Sequence, residues 1–238
     1  MRIDMHCHST SSDGSLNVWE LLELSTKVGL GGLVLTDHCS PNNSFYTNRV
    51  VVKTLRDMSL LKVPVIVGSE IKTPYGEFLL FGKKACSQWN QYKNTLAGIN
   101  TSFGATQYWE MFHRYVLHKI TYVKGDSFLD AKVLQQLSYG MVMCHPRNLT
   151  IPWCAKMPQV FWDLLHGFEI QNGYEHYDNI HPDVVEYLKS RIKNCKCIRN
   201  SDCHAEELGS AYNEIPLKEF SENNLIHWLH SEGSYENS

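Results

Sequence analysis

The sequence lacks any run of about 18 apolar residues, so no segment reads as a membrane-spanning helix. It also lacks a charged-then-apolar start, because Asp4, His6 and His8 interrupt the first apolar run, and a cytoplasmic protein is expected. None of the eight cysteines forms a Cys-x-x-Cys pair, and Cys195 and Cys197, two apart, have the wrong spacing for a zinc knuckle. In a chain of 238 residues without a secretion signal, the thiols are expected to be reduced. Cys7, Cys39, Cys144 and Cys203 each adjoin a histidine. Neighbours on a strand face opposite ways, so these thiols are read as packing behind a site rather than entering it. An excess of basic charge is missing as well: 22 Lys and Arg against 25 Asp and Glu give a net charge of -3. That balance argues against long duplex nucleic acid as a partner and leaves a small phosphorylated substrate or short nucleotide. No glycine-rich GxGxxG turn follows an early strand, and there is no internal repeat.

What is present is an alternation. Short apolar runs at Arg2–Met5, Gly32–Thr36, Val63–Gly68, Phe78–Phe81, Gly140–Cys144, Gly167–Gln171 and Cys195–Arg199 have the length and continuity of buried parallel strands. Helical patterns lie between many of them: Asn17–Val28, Arg49–Leu61, Leu129–Ser138, Pro158–Leu165, Pro182–Lys193 and Ser221–His230. Asn17 with Glu20 three residues on forms a capping box, and Gly29 stops that helix. The pattern predicts an α/β fold, a single-domain seven-stranded barrel over residues 1–230. An aromatic-rich insertion at about 85–126 breaks the rhythm, and the polar tail 231–238 is expected to fray. In the insertion His113, Arg114, His118 and Lys119 stand among aromatics, either a nucleotide-binding wall or part of a helix packed on the barrel.

Chemistry gathers where the strands end. Strand one runs into His6 and His8, with Asp13 in the next loop; strand two ends in Asp37 and His38, and strand three in Glu70. His145 and Arg147 follow the GMVMC run, and Asp202 and His204 follow the last strand. In a parallel barrel these ends converge on one face. So many ionisable groups in one place are costly to bury unless cations compensate them. Imidazoles and carboxylates without thiolates suit zinc, manganese or iron. Two such ions can activate water and stabilise a phosphoryl centre, which points to phosphate ester hydrolysis.

Taken together, HCHSTSSDG, LTDH, GSE, CHPR and NSDCH resemble the motifs of the polymerase and histidinol phosphatase (PHP) superfamily, in order and over nearly the whole chain. The resemblance implies a distorted seven-stranded TIM-like β/α barrel with two or three divalent metal ions (Mn, Zn or Fe). It places one ion on His6, His8, Glu70 and Asp202, a second on His145 with Glu70 as bridge, and a third on Asp13, His38 and His204. Asp37 is implied to orient a ligand or strand end. Where many members carry another histidine, this chain has Glu77, which is either the completing ligand of the second ion or a solvated hairpin glutamate. Arg147 either grips phosphate through its planar donor fork or forms a surface ion pair. Two other functions compete with small-substrate phosphoester hydrolysis: an exonuclease trimming oligonucleotides from a phosphorylated end, and a non-catalytic metal-binding regulatory module.

Overall fold

A computed structural model describes residues 1–38, 44–73, 76–87, 138–146, 150–157, 159–173 and 180–232. The chain begins with β1 (Arg2–Asp4), α1 (Val18–Lys27), β2 (Gly32–Leu35), α2 (Ser44–Asp57) and β3 (Val65–Val67). The hairpin β4 (Ser69–Thr73) and β5 (Gly76–Phe81) follows. Next come β6 (Gly140–Met143), the short helices α3 (Ile151–Cys154) and α4 (Gln159–Trp162), and β7 (Gly167–Asn172). The chain then continues through α5 (Pro182–Arg191), β8 (Lys196–Asn200), β9 (Asn213–Glu214) and α6 (Glu222–His230).

Local chemistry accounts for the helix boundaries. The Asn17 side chain accepts from the amides of Trp19 and Glu20 while Glu20 reaches back to the Asn17 amide, so the expected capping box starts α1. Pro182 opens α5 behind His181, whose ring accepts from the Asp183 amide, and Ser221 caps α6. α2 begins five residues before the expected Arg49 and ends before Leu61.

The strands form a four-stranded sheet in the order β3-β2-β1-β9 and a five-stranded sheet in the order β4-β5-β6-β7-β8. Two expectations are corrected here. The strands are not all parallel: β5 runs antiparallel to both β4 and β6. Only two residues separate β4 from β5, whereas a parallel crossover needs about a dozen. And among the described residues the ladders make two sheets rather than one closed ring. Two isolated parallel bridges add to the ladders: Cys7–Cys203 joins the segments after β1 and β8, and His38–Glu70 joins the segment after β2 to the start of β4. Of the expected insertion only Ala85–Ser87 is described; its basic and aromatic residues, all but Ser138 of the helix expected at Leu129–Ser138 and the tail beyond Glu232 lie outside the described residues. Among those described, no helix is long and apolar enough to cross a membrane.

The strands are buried on both faces, as their continuous apolar runs require. One cluster collects Leu33, Leu35, Val65, Val67, Phe78, Met141 and Phe168 with helix residues such as Leu21, Phe161 and Leu188. The other collects the alternate residues, Ile3, Met5, Val34, Ile66, Leu79, Phe81, Val142 and Ile198, which come from strands of both sheets. Leu225, Trp228 and Leu229 of α6 pack against this second cluster. Each such large apolar side chain contributes roughly 1.5–3 kcal/mol on burial. These clusters make the strands a rigid frame, and the ligand-type residues stand at one end of it.

Candidate metal centre

The segment after β1 is laced to the segment after β8: the His8 amide donates to the Cys203 carbonyl at 2.8 Å and the Cys203 amide to the His6 carbonyl at 3.3 Å. Side chains alternate along both segments. His6, His8, Asp202 and His204 therefore converge, while Cys7 and Cys203 sit in the apolar cluster behind them. Burial pushes the Cys7 thiol well up, which favours the protonated, apolar form.

His6 Nε2, His8 Nε2 and Asp202 Oδ1 lie 3.1–3.2 Å from one another. Glu70 Oε2 stands 3.5 Å from His6 Nε2 and 3.2 Å from His8 Nε2. A tetrahedral cation with bonds of 2.0–2.1 Å has ligand-to-ligand edges of about 3.3–3.4 Å. The atoms of His6, His8 and Asp202 thus already have close to the edge lengths of such a coordination shell, and Glu70 Oε2 stands at a similar distance from both imidazoles. Glu70 Oε1, Oε2 and Asp202 Oδ1 are buried with no hydrogen bond of good geometry, the condition a buried carboxylate avoids unless a cation faces it. The donor set fits a divalent metal.

Glu70 reaches further. Its Oε2 is 2.9 Å from His38 Nδ1, and its Oε1 is 3.3 Å from His145 Nε2. Glu77, on β5, lies with its carboxylate 3.6 Å from His145 Nδ1, and Glu70, Glu77 and His145 form one ligand-like group. His8, Asp13, His38 and His204 form another: Asp13 Oδ2 is 3.1 Å from His38 Nε2, and Asp13 Oδ1 is 3.4 Å from His8 Nδ1 and 3.6 Å from His204 Nε2. Cys144 falls with His6, His145 and Glu169 in a fourth group. Arg147 and Cys39 lie outside the described residues.

The charges polarise one another. Burial opposes charge on His6, yet Asp202, Glu169 and Glu70 raise its pKa well above the ordinary value. His8 is raised to about 9 against its burial, by Asp202 and Glu70. Glu70 is held well below the carboxylate range, despite complete burial, by His6, His145 and His38, and Asp202 is lowered mainly by His6 and His8. Protons and metal compete for these nitrogens.

Glu169, on β7, carries no role in the sequence reading, although FEIQNG is a strand in it. Its Oε1 faces His6 Nδ1 at 2.8 Å and accepts from Asn200 Nδ2 at 2.8 Å, and its Oε2 accepts from the His145 amide at 2.9 Å. An Nδ1–H donated to a carboxylate leaves the Nε2 lone pair of His6 turned toward the cluster. The signal was a lone carboxylate inside a short apolar strand, which is costly to bury without such partners. Asn172 likewise donates to Asp202 Oδ2 at 2.8 Å. Asp37 is engaged elsewhere: it accepts from the Ser9 amide at 2.8 Å, from Ser9 Oγ at 2.7 Å, from Ser12 Oγ and from Asn48 Nδ2. It anchors the loop that carries Asp13. Two ligand-type residues, His145 (φ 28°) and Asp202 (φ 51°), occupy the left-handed backbone region, a strain of roughly 1–3 kcal/mol each that a packed frame must impose.

No known family's sequence profile matches the chain, and no curated protein matches it in sequence. Solved structures do match it. A two-domain protein from Bacteroides vulgatus containing a predicted PHP-like metal-dependent phosphoesterase is 19% identical over 87% of this chain, with a TM-score of 0.50, and the match spans 52% of that longer protein. PsfC from Pseudomonas syringae is 14% identical, with 94% of this chain and 87% of that one covered and a TM-score of 0.56. An amidohydrolase from Chromobacterium violaceum, solved with bound sulfate and no metal, is 15% identical, with 91% and 93% covered and a TM-score of 0.54. At such identities the likeness is one of fold: the chain resembles a PHP-like metal-dependent phosphoesterase in architecture, and its own residues must carry the chemistry.

Proposed function

We propose that the chain is a metal-dependent hydrolase of phosphate esters, acting on a small phosphorylated compound or short nucleotide. The observation that carries this reading is the meeting of His6, His8 and Asp202 at coordination-shell spacing, with Glu70 Oε2 beside both imidazoles and buried carboxylate oxygens that lack a hydrogen bond of good geometry. In this reading His6, His8, Asp202 and Glu70 hold one divalent ion, Glu70, His145 and Glu77 a second, and Asp13, His38 and His204 a third. Bound there, manganese, zinc or iron supplies a nucleophilic water at neutral pH and positive charge for a phosphoryl group. The protein's part is to orient: Glu169 fixes the His6 tautomer, Asn172 turns Asp202, and Asp37 seats the Asp13 loop. The half-exposed Asp13 and the partly exposed His38 and His204 form the open side, from which substrate enters. Arg147, two residues past His145, is assigned to the phosphate.

A distorted barrel belongs to the same reading. The Cys7–Cys203 bridge joins the β1 and β8 segments, β3 runs straight into β4, and one inner apolar cluster draws on both sheets.

The test is turnover by protein loaded with Mn2+, Zn2+ or Fe2+ on phosphomonoesters, dinucleotides and single-stranded oligonucleotide ladders, with an amide series because of the likeness to an amidohydrolase. Release of inorganic phosphate or of a nucleotide is expected. Metal-loaded protein that turns over only amides, or nothing, refutes the proposal.

A further inference from the structure

Asn48 of α2 is a polar side chain buried to 1% exposure. A buried amide is unfavourable by a few kcal/mol unless its donor and acceptor are both used. Here they are, on two different elements. Asn48 Nδ2 donates to Asp37 Oδ2, past the end of β2, and Asn48 Oδ1 accepts from Ser11 Oγ at 2.7 Å, in the loop after β1. That loop is a tight ring: the Ser9 carbonyl accepts from the Ser12 and Gly14 amides at 3.0 and 3.1 Å, and Ser9 Oγ accepts from the Ser11 amide. At its far end the Ser15 amide and hydroxyl both donate to the His204 carbonyl, at 2.7 and 2.8 Å. A Cβ on Gly14 would stand 2.3 Å from the His8 carbonyl oxygen, so the ring closes against backbone and cannot shift inward. Asp13 rides on this ring with its side chain half exposed. The middle of the ring is held from outside by Asn48 and by its partner Asp37.

We propose that Asn48 is the positioning residue for Asp13, setting the cation affinity of the open group (Asp13, His38, His204) while leaving the buried group (His6, His8, Asp202) unaffected. The inference rests on the metal-centre reading above. The side-chain hydrogen bonds of Asn48 go to Ser11 and Asp37 and to none of the ligand-type residues in either group. It acts through Ser11 and Asp37, as outer partners of metal ligands do when they set affinity by 10–100-fold.

The experiment titrates Mn2+ into chelator-stripped wild-type protein and into Asn48→Asp and Ser11→Ala variants, counting bound ions after gel filtration. Amide hydrogen exchange is followed over residues 9–15 in the stripped proteins. Asn48→Asp is isosteric: it keeps the acceptor for Ser11 but sets a second carboxylate against Asp37. A residue that merely fills space tolerates that change, whereas the positioning role predicts about 10–100-fold weaker binding of one ion, the tight ion unchanged and faster exchange in the loop. Ser11→Ala, a partly exposed loop change that leaves α2 intact, is expected to act in the same direction with smaller size, and it carries the test if Asn48→Asp does not fold. Wild-type and variant proteins that bind the same ions with the same affinity overturn the role of Asn48 alone. Wild-type protein that takes up no Mn2+ overturns the metal-centre reading and this inference together.

Discussion

Two halves of one cluster are built on different principles. His6, His8 and Asp202 are buried side chains at the ends of strands, laced by backbone hydrogen bonds and backed by Glu169 and Asn172. Asp13, His38 and His204 are partly exposed, and Asp13 depends on a serine-rich loop rather than a strand. The first half is preorganised by the sheets, at the expense of desolvating several charges. The second is cheaper to assemble and easier to loosen, and solvent reaches it. Under the proposed function such a site would hold one cation tightly and present another to substrate.

Glu70 joins the halves, since its two oxygens lie within 3.5 Å of nitrogens of His6, His8, His38 and His145. Glu70→Gln is therefore the change that breaks the comparison altogether, with a loss of turnover of about 10³-fold or more, at the upper end of what removing one electrostatic group does. Metal analysis should show two equivalents lost together; loss of one alone refutes the bridge. Glu169→Gln comes next and sharpens the comparison, because the hydrogen bonds of Glu169 go to His6 of the buried half, to the His145 amide and to Asn200, and to none of Asp13, His38 and His204. It replaces the acceptor of His6 Nδ1 and is expected to weaken the tightest ion by about 10–100-fold, with the open group unchanged in a Mn2+ titration. Equal weakening of both groups would show that the halves are not separate.

Much of this was legible in the sequence, for identifiable reasons. The His-x-His spacing works because side chains alternate along the extended segment after β1, whereas Asp202 reaches the same side from a left-handed backbone conformation next to the Cys7–Cys203 bridge. α1 was legible because its cap is local. In the sequence β4 is visible only as a strand end at Glu70, with a hairpin position at Glu77, since Ser69–Thr73 contains Glu70 and Lys72 and lacks an apolar pattern; the antiparallel pairing of β5 with β4 and β6 is a tertiary fact. Glu169 was missed because its partners, His6, His145 and Asn200, are distant in sequence. Asn48 was hidden on a helix for the same reason.

Protonation gives a third probe. In chelator-stripped protein the raised His6, His8 and His145 contribute stability that is complete below their unfolded pKa of about 6.5. It is lost as pH rises through the folded values, about 9 for His8. The lowered Glu70, Asp202 and Asp13 contribute stability present above an unfolded pKa of about 4, lost as pH falls through their folded values. Stripped protein should thus be most stable between about pH 4.5 and 6.5 and lose roughly 5–10 °C of Tm toward pH 9. Metal-loaded protein should move oppositely over pH 6–9, because ions bind only deprotonated imidazoles. Parallel melting curves would contradict the competition between protons and metal at these nitrogens.

The smallest effect is expected at Glu77, which belongs to neither half. Its side chain is about a quarter exposed and stands 3.6 Å from His145 Nδ1, at the start of the antiparallel strand β5 rather than past the end of a parallel one. A carboxylate in that position competes with water for an ion, so its loss weakens binding less than loss of a buried ligand does. Glu77→Gln should lower the affinity of one ion by about tenfold or less, close to the 1.4 kcal/mol of one tenfold step. The deficit should disappear at tenfold higher Mn2+, with the tight ion and the open group unchanged. His145 itself stays in place because its amide is held by Glu169 at 2.9 Å, independently of Glu77. A titration identical to wild type makes Glu77 a solvated hairpin glutamate and leaves Glu70 and His145 to hold the second ion with water.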